Sequence, residues 1–189
     1  AAKAMGGIDA VVGNAGIAAP GKLIDLDITT WDRIFDINLR ANWLLAKAAY
    51  PHLRKSRGAV VMLASVAGVM PQRPTGAYSP AKAALIMLTE MLAMEWAPDG
   101  IRANAVCPGF VNTSMTAAIY SQPKLARGRA RLVPLGRVAK PGDIADAIAF
   151  LLSPQASYIT GQSLIVDGGL TRSILNHVPG VAATPRRGK

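Results

Sequence analysis

Short runs that are apolar on both faces alternate along this chain with longer stretches whose apolar residues recur at helical spacing. "IDAVVGNAG", "GAVVMLAS" and "IRANAVCPG" are runs of the first kind, and "QSLIVDGG" closes the series. A strand with no polar face must be covered on both sides, and strands of that kind interleaved with helices build a parallel sheet with helices on either face. The fold class read from the pattern is α/β, a doubly wound, Rossmann-like parallel sheet. Such sheets bind ligands beyond the carboxyl ends of their strands. That singles out Asn14, Ser65 and the turn Cys107-Pro108-Gly109.

The intervening stretches read as helices. In "TTWDRIFDINLRANWLLAKAAYPHLRKS" the apolar stripe is Ile34, Ile37, Ala41, Leu44, Leu45 and Ala48, with Thr29 or Thr30 as cap and Asp32 in the first turn. "AALIMLTEMLAMEWA" is stopped by Pro98 and Gly100, and "KPGDIADAIAFLLS" opens with Pro141 and Asp143.

Bulk properties exclude several classes. The longest apolar run falls well short of the 18 or so residues of a membrane span, and the N-terminus lacks a signal-peptide pattern. A single cysteine, Cys107, permits no internal disulfide and fits a reducing compartment, which favours the cytoplasm. His52 and His177 stand alone, so no metal site is expected. The formal charge is +10, and no acidic residue lies between Asp99 and Asp143, where Arg102, Lys124, Arg127, Arg129, Arg131, Arg137 and Lys140 cluster. The cluster reads first as a solvated loop, then as an attractor for an anionic substrate or cofactor phosphate. Without a helix-turn-helix, zinc or aromatic RNA-binding signature, nucleic acid is not an expected partner. Residues 1–170 read as one domain and 171–189 as a basic, loosely ordered tail.

The segment "AYSPAKAAL" sets Tyr78 and Lys82 four positions apart, on one face if the segment is helical. A tyrosine with an ordinary pKa near 10 is a poor base at neutral pH. A lysine held close lowers that pKa, giving a group able to exchange a proton with a carbonyl or alcohol oxygen. Pro80 is compatible with a helix starting near Gly76 or Ala77, because a first-turn N–H has no intrahelical partner. Tyr120 and Lys124 share the spacing, but the stretch after them carries Gly128 and Pro134, and the pair is read as coincidence. Ser65, at a strand end, can hydrogen-bond a substrate oxygen beside the phenol, although serine there also serves as a turn residue. Asn38, mid-helix, needs partners that a water chain towards Lys82 can supply, or it is a satisfied core amide.

Taken together, "GNAG" (13–16), "DINLRA" with Asn38, "LASVAG" with Ser65, "YSPAK" with Tyr78 and Lys82, "CPGFVNT" and "VDGG" (166–169) resemble the short-chain dehydrogenase/reductase family of NAD(P)-dependent oxidoreductases. The resemblance implies an enzyme interconverting a secondary alcohol and a ketone. In it Tyr78 is the general acid/base, and Lys82 lowers its pKa and binds the nicotinamide ribose. Ser65 polarises the substrate oxygen, and Asn38 holds a relay water. Asn14, Ala15 and Gly16 would line the adenosine side of NAD or NADP, and Pro108, Gly109, Val111 and Thr113 the nicotinamide. Residues 112–137 resemble a substrate lid, whose Phe110, Met115 and Tyr120 neighbourhood offers an apolar wall or simple core packing. The partner implied is a small-molecule alcohol or ketone, with a homodimer or homotetramer formed through helices at 29–54 and 77–97.

Two departures accompany the resemblance. Gly13 stands where an asparagine is usual, and the glycine-rich phosphate turn expected before the first strand is missing. The sequence therefore reads as an N-terminally incomplete fragment, whose first strand would expose an apolar edge. Alternatives are a 3-oxoacyl-[acyl-carrier-protein] reductase-like enzyme, against which Asp99 stands where such enzymes tend to carry arginine, and a non-catalytic remnant.

Overall fold

The computed structural model describes residues 1–173 and 175. Beyond 171–173 and 175, the expected basic tail lies outside the described residues. A short helix α1 (Ala2–Met5) leads into β1 (Ala10–Gly13). A long helical stretch follows, made of α2 (Ile28–Phe35), a π-helical turn (Asp36–Arg40) and α3 (Ala41–Ser56). Then come β2 (Ala59–Leu63), α4 (Val66–Val69), α5 (Tyr78–Trp96) and β3 (Arg102–Pro108). The last third holds α6 (Ala117–Tyr120), α7 (Pro123–Leu132), α8 (Pro141–Leu152) and β4 (Ser163–Val166).

The four strands form one parallel sheet in the order β1-β2-β3-β4, with Val11 beside Val60, Val60 beside Ala103 and Val106 beside Leu164. Alternate residues of β2 serve opposite faces. Val60 and Met62 pack with Ala46 and Leu53 of α3 and Leu85 and Leu92 of α5, whereas Val61 packs with Ile144 and Leu151 of α8. Helices therefore cover both faces, as the unbroken apolar runs require. Among the described residues no strand pairs with the outer edge of β1, where Val12 is partly exposed.

Two readings of the long helix need correction. Its cap is Asp27, whose carboxylate accepts from Thr30 N at 2.8 Å, not Thr29 or Thr30. Its buried face is also different: Ile34, Asn38, Asn42, Ala46, Ala49 and Leu53 turn inward, while Ala41, Leu44, Leu45 and Ala48 are exposed. The π turn shifts the register by adding a residue to the turn. The two asparagines can face inward because their amides find backbone partners.

The basic cluster divides in two. Arg102 donates to the carbonyls of Leu151, Ile159 and Ser153, and Arg137 makes a paired contact with Asp143, both bonds 2.7 Å. Arg129 stacks on Phe110 and Tyr120. Lys124, Arg127 and Arg131 are exposed and share one face of α7 at i, i+3 and i+7. No described helix is long and apolar enough to cross a membrane, and no described group of three or more His, Cys, Asp or Glu can hold a metal.

Candidate active site

The loops after β1, β2 and β3 open at one end of the sheet, and the candidate residues gather there. Ser65 lies two residues past β2 and caps α4, its Oγ accepting from Ala67 N at 3.1 Å. Tyr78 is the first residue of α5, so Pro80 sits in the first turn and leaves the helix intact. Lys82, one turn further, is almost fully buried and donates to Leu63 O at 2.6 Å. Its Nζ stands 5.8 Å from the centre of the Tyr78 ring. Tyr120 and Lys124, by contrast, fall on separate helices, and Tyr120 takes Arg129 instead.

Close backbone contact sets this geometry. A Cβ on Gly68 would lie 2.7 Å from the carbonyl carbon of Lys82, so α4 rests directly on α5 only because that residue is glycine. The contact draws the Ser65 cap to the mouth of α5. Gly16 plays a second part: a Cβ there would come 2.8 Å from Asn38 Oδ1 and 3.3 Å from Lys82 Nζ, so only glycine lets this loop pack directly against both side chains.

Asn38 is fully buried, and Ile17 takes both ends of its amide. Its Oδ1 accepts from Ile17 N at 2.9 Å and its Nδ2 donates to Ile17 O at 2.8 Å. The partners expected from a water chain are thus supplied by backbone, and Asn38 ties the long helix to the loop that carries Asn14, Ala15 and Gly16. Asn42 extends the tie, donating to Asn38 O at 2.9 Å. Asn14 and Ala15 remain exposed.

On the far side, Gly109 N donates to Val166 O at 3.0 Å, and a Cβ on Gly109 would meet Asp167 Cβ at 2.7 Å. Pro108 ends β3, and Val111 bridges to Ala139. Thr113 shares a reciprocal cap with Thr116, whose hydroxyl accepts from Thr113 N at 3.0 Å. Ile17 and Thr116 carried no signal in the sequence, and Gly68 appeared there only as the end of "LASVAG", because each matters through a neighbour distant in the chain or through a cap inside a loop. The lid region is more ordered than its sequence promised, with α7 running through Gly128, a residue that costs a helix about 1 kcal/mol.

The electrostatics also depart from expectation. Burial raises the pKa of Tyr78 above its ordinary value, and the nearby Ser65 hydroxyl opposes that rise only in part. Lys82 does not depress it here. Burial instead lowers Lys82 to about 8, while burial raises Cys107 to about 11. These shifts have a measurable sign. Between pH 8 and 10.5 the unfolded chain keeps a proton on Lys82 that the folded chain has released, so this group adds stability as pH rises. Above pH 9 Cys107 acts oppositely, since the unfolded thiol ionises first. We expect the urea midpoint of the wild-type chain to rise relative to Lys82→Met between pH 8 and 9. A constant difference across that interval would contradict the burial argument.

Nowhere in the 189 residues do two glycines stand two apart, so the G-x-G phosphate turn is not among them.

Comparison with known proteins agrees with the site. A family model described as enoyl-(acyl carrier protein) reductase matches residues 1–171. The chain is 40% identical over 169 residues to 3beta-hydroxysteroid dehydrogenase 1 of Eggerthella lenta, covering 88% of this chain and 65% of that protein. It is 41% identical over 176 residues to an inactive 2-(S)-hydroxypropyl-CoM dehydrogenase 2 of Xanthobacter autotrophicus, covering 90% and 76%. A gluconate 5-dehydrogenase from Burkholderia cenocepacia, solved with NADP and tartrate, superposes with a TM-score of 0.86 at 29% identity, covering 92% of this chain and 68% of that one. The chain belongs to the short-chain dehydrogenase/reductase family, whose members are NAD(P)-dependent oxidoreductases of Rossmann-like fold.

Proposed function

We propose that this chain carries the catalytic half of an oxidoreductase that interconverts a secondary alcohol and a ketone with NAD or NADP. The observation that carries the reading is the meeting of Ser65, Tyr78 and Lys82 at one sheet end, fixed by the contact of Gly68 with Lys82. The nicotinamide supplies or takes up the hydride. With its pKa raised, Tyr78 is protonated at neutral pH and hands its phenolic proton to a carbonyl oxygen that Ser65 also hydrogen-bonds. Lys82, partly neutral near pH 8, is poised to replenish that proton. Asn38 holds the loop bearing Asn14, Ala15 and Gly16 against this site, and Pro108, Gly109, Val111 and Thr113 frame the opposite side.

The test is to follow NADH and NADPH oxidation by the chain with a panel of simple ketones, alongside titration with each cofactor. Cofactor-dependent ketone reduction supports the reading; no turnover and no binding of either cofactor overturns it. That second outcome would favour a non-catalytic remnant, a reading to which the inactive relative lends support. The relatives' substrates, a steroid, a coenzyme-M conjugate and gluconate, are too unlike to choose one for this chain. A carrier-protein reductase is favoured only by the exposed ridge of Lys124, Arg127 and Arg131. Asp99, which accepts from Tyr50 and pairs with Arg54 at 3.0 Å, is occupied in bracing α3.

A homo-oligomer belongs to the same proposal. Met87, Met91 and Met94 expose one face of α5, and Trp43, Leu44 and Leu45 are exposed on α3, more apolar surface than a monomer gains from showing to water. We expect Leu44→Glu combined with Met91→Glu to convert dimers or tetramers to monomers in analytical ultracentrifugation. An unchanged sedimentation profile would rule out this face.

A further inference from the structure

A cavity of about 250 Å³ opens beside α4. Val66 and Ala67, the first residues of the helix that Ser65 caps, form part of its wall. Met70, Phe110, Leu132 and Leu170 supply most of the rest, and Gln72 is the one long polar side chain. The cavity thus adjoins the candidate reacting groups and is closed on one side by Leu132, the last residue of α7. Its volume is just below the roughly 300–1,000 Å³ of sites for drug-sized ligands, which suits a body of one or two rings.

No described lining residue is charged. Arg129, which reaches the same Phe110, is committed elsewhere: its guanidinium lies 4.8 Å from the Phe110 ring centre and 5.6 Å from that of Tyr120. It also donates to the Tyr120 hydroxyl at 3.3 Å. A cation stacked between two rings is held by their π faces. Arg137 is taken by Asp143. Ser173, another wall residue, spends its hydroxyl on Leu132 O and Leu170 O. An anion brought into this space loses its water and meets no charged side chain on the described wall, which costs several kcal/mol or more, whereas a neutral ring gains from burial at about 25 cal/mol per Å².

Resting on the oxidoreductase reading, we propose that the site takes a neutral, predominantly apolar secondary alcohol or ketone of one- or two-ring size and discriminates against substrates bearing a carboxylate, sulfonate or phosphate. The Gln72 amide offers one hydrogen bond at the rim, enough to orient a ring without demanding charge.

Met70 gives the test a local reporter, since it is the one methionine on the cavity wall. The 189-residue chain labelled with ¹³C-methyl methionine, its Met70 resonance assigned through Met70→Leu, is titrated with 4-methylcyclohexanone and with 4-oxocyclohexanecarboxylate. The Met70 methyl is expected to shift with the neutral ketone and to need at least tenfold more of the carboxylate. Equal or stronger response to the carboxylate overturns the proposal, and so does a Met70 signal that neither compound moves. Leu132→Arg, which places a cation on the wall, is expected to narrow or reverse the preference. Because binding is read rather than turnover, loss of all hydride transfer with the discrimination intact would defeat the functional reading alone. Turnover that ignores substrate charge would defeat this inference alone.

Discussion

Tyr78→Phe is expected to lower ketone reduction about 10²–10⁴-fold, the usual contribution of a positioned general acid, while cofactor affinity and thermal stability stay near wild type. The phenol of Tyr78 stands at the mouth of α5 beside the Ser65 hydroxyl, where burial raises its pKa and that hydroxyl opposes the rise. Removing one oxygen leaves the ring, its packing and the Lys82 contact with Leu63 in place. A carbonyl oxygen gaining charge during hydride arrival then has Ser65 but no proton donor. Steady-state kinetics on wild type and Tyr78→Phe decides the matter, with a fall below threefold sufficient to reject Tyr78 as the acid. A matching loss of cofactor binding would instead point to misfolding around α5.

Asn38→Ala carries the next largest expected effect, and on stability rather than chemistry. The substitution deletes both bonds to Ile17 and leaves that residue's N–H and C=O partly buried without a partner. Each orphaned group costs about 1–3 kcal/mol, so a loss of about 2–6 kcal/mol is expected. For a chain of this size each kcal/mol moves Tm by about 2–4 °C, giving a fall of roughly 4–24 °C by scanning calorimetry. Asn38→Asp keeps an acceptor for Ile17 N but sets a buried carboxylate against Ile17 O, and should cost at least as much as alanine at neutral pH. An unchanged Tm in Asn38→Ala would mean that water satisfies Ile17 and that the amide does not anchor the loop. Gly16 sharpens the point, since the loop it belongs to approaches Lys82 only where Asn38 holds it.

The long helix shows how far sequence carried and where it stopped. Its existence and length were legible, because helical periodicity is a local property. Its inward face was not: the apolar residues Leu44 and Leu45 are exposed, and Asn38 and Asn42 are buried. A polar side chain turns inward only when backbone partners await it, and those partners, Ala15 to Ile17, lie more than twenty residues away. Lys82 gives the same lesson in electrostatics. Four-residue spacing placed it beside Tyr78, but its ammonium is bonded to Leu63 O and leaves the phenol's pKa to burial.

Sequence by itself determined the order of strands and helices, the all-parallel sheet and the gathering of Ser65, Tyr78 and Lys82 near strand ends. Each of these follows from unbroken apolar runs, helical periodicity and short-range spacing, which a chain cannot escape once its residues are set. Tertiary structure alone decided which helix face is buried, how close α4 lies on α5, which arginines are committed, and that the cavity beside Ser65 is free of described charge. Those outcomes depend on approaches between distant segments, where a missing Cβ or a waiting carbonyl decides what fits.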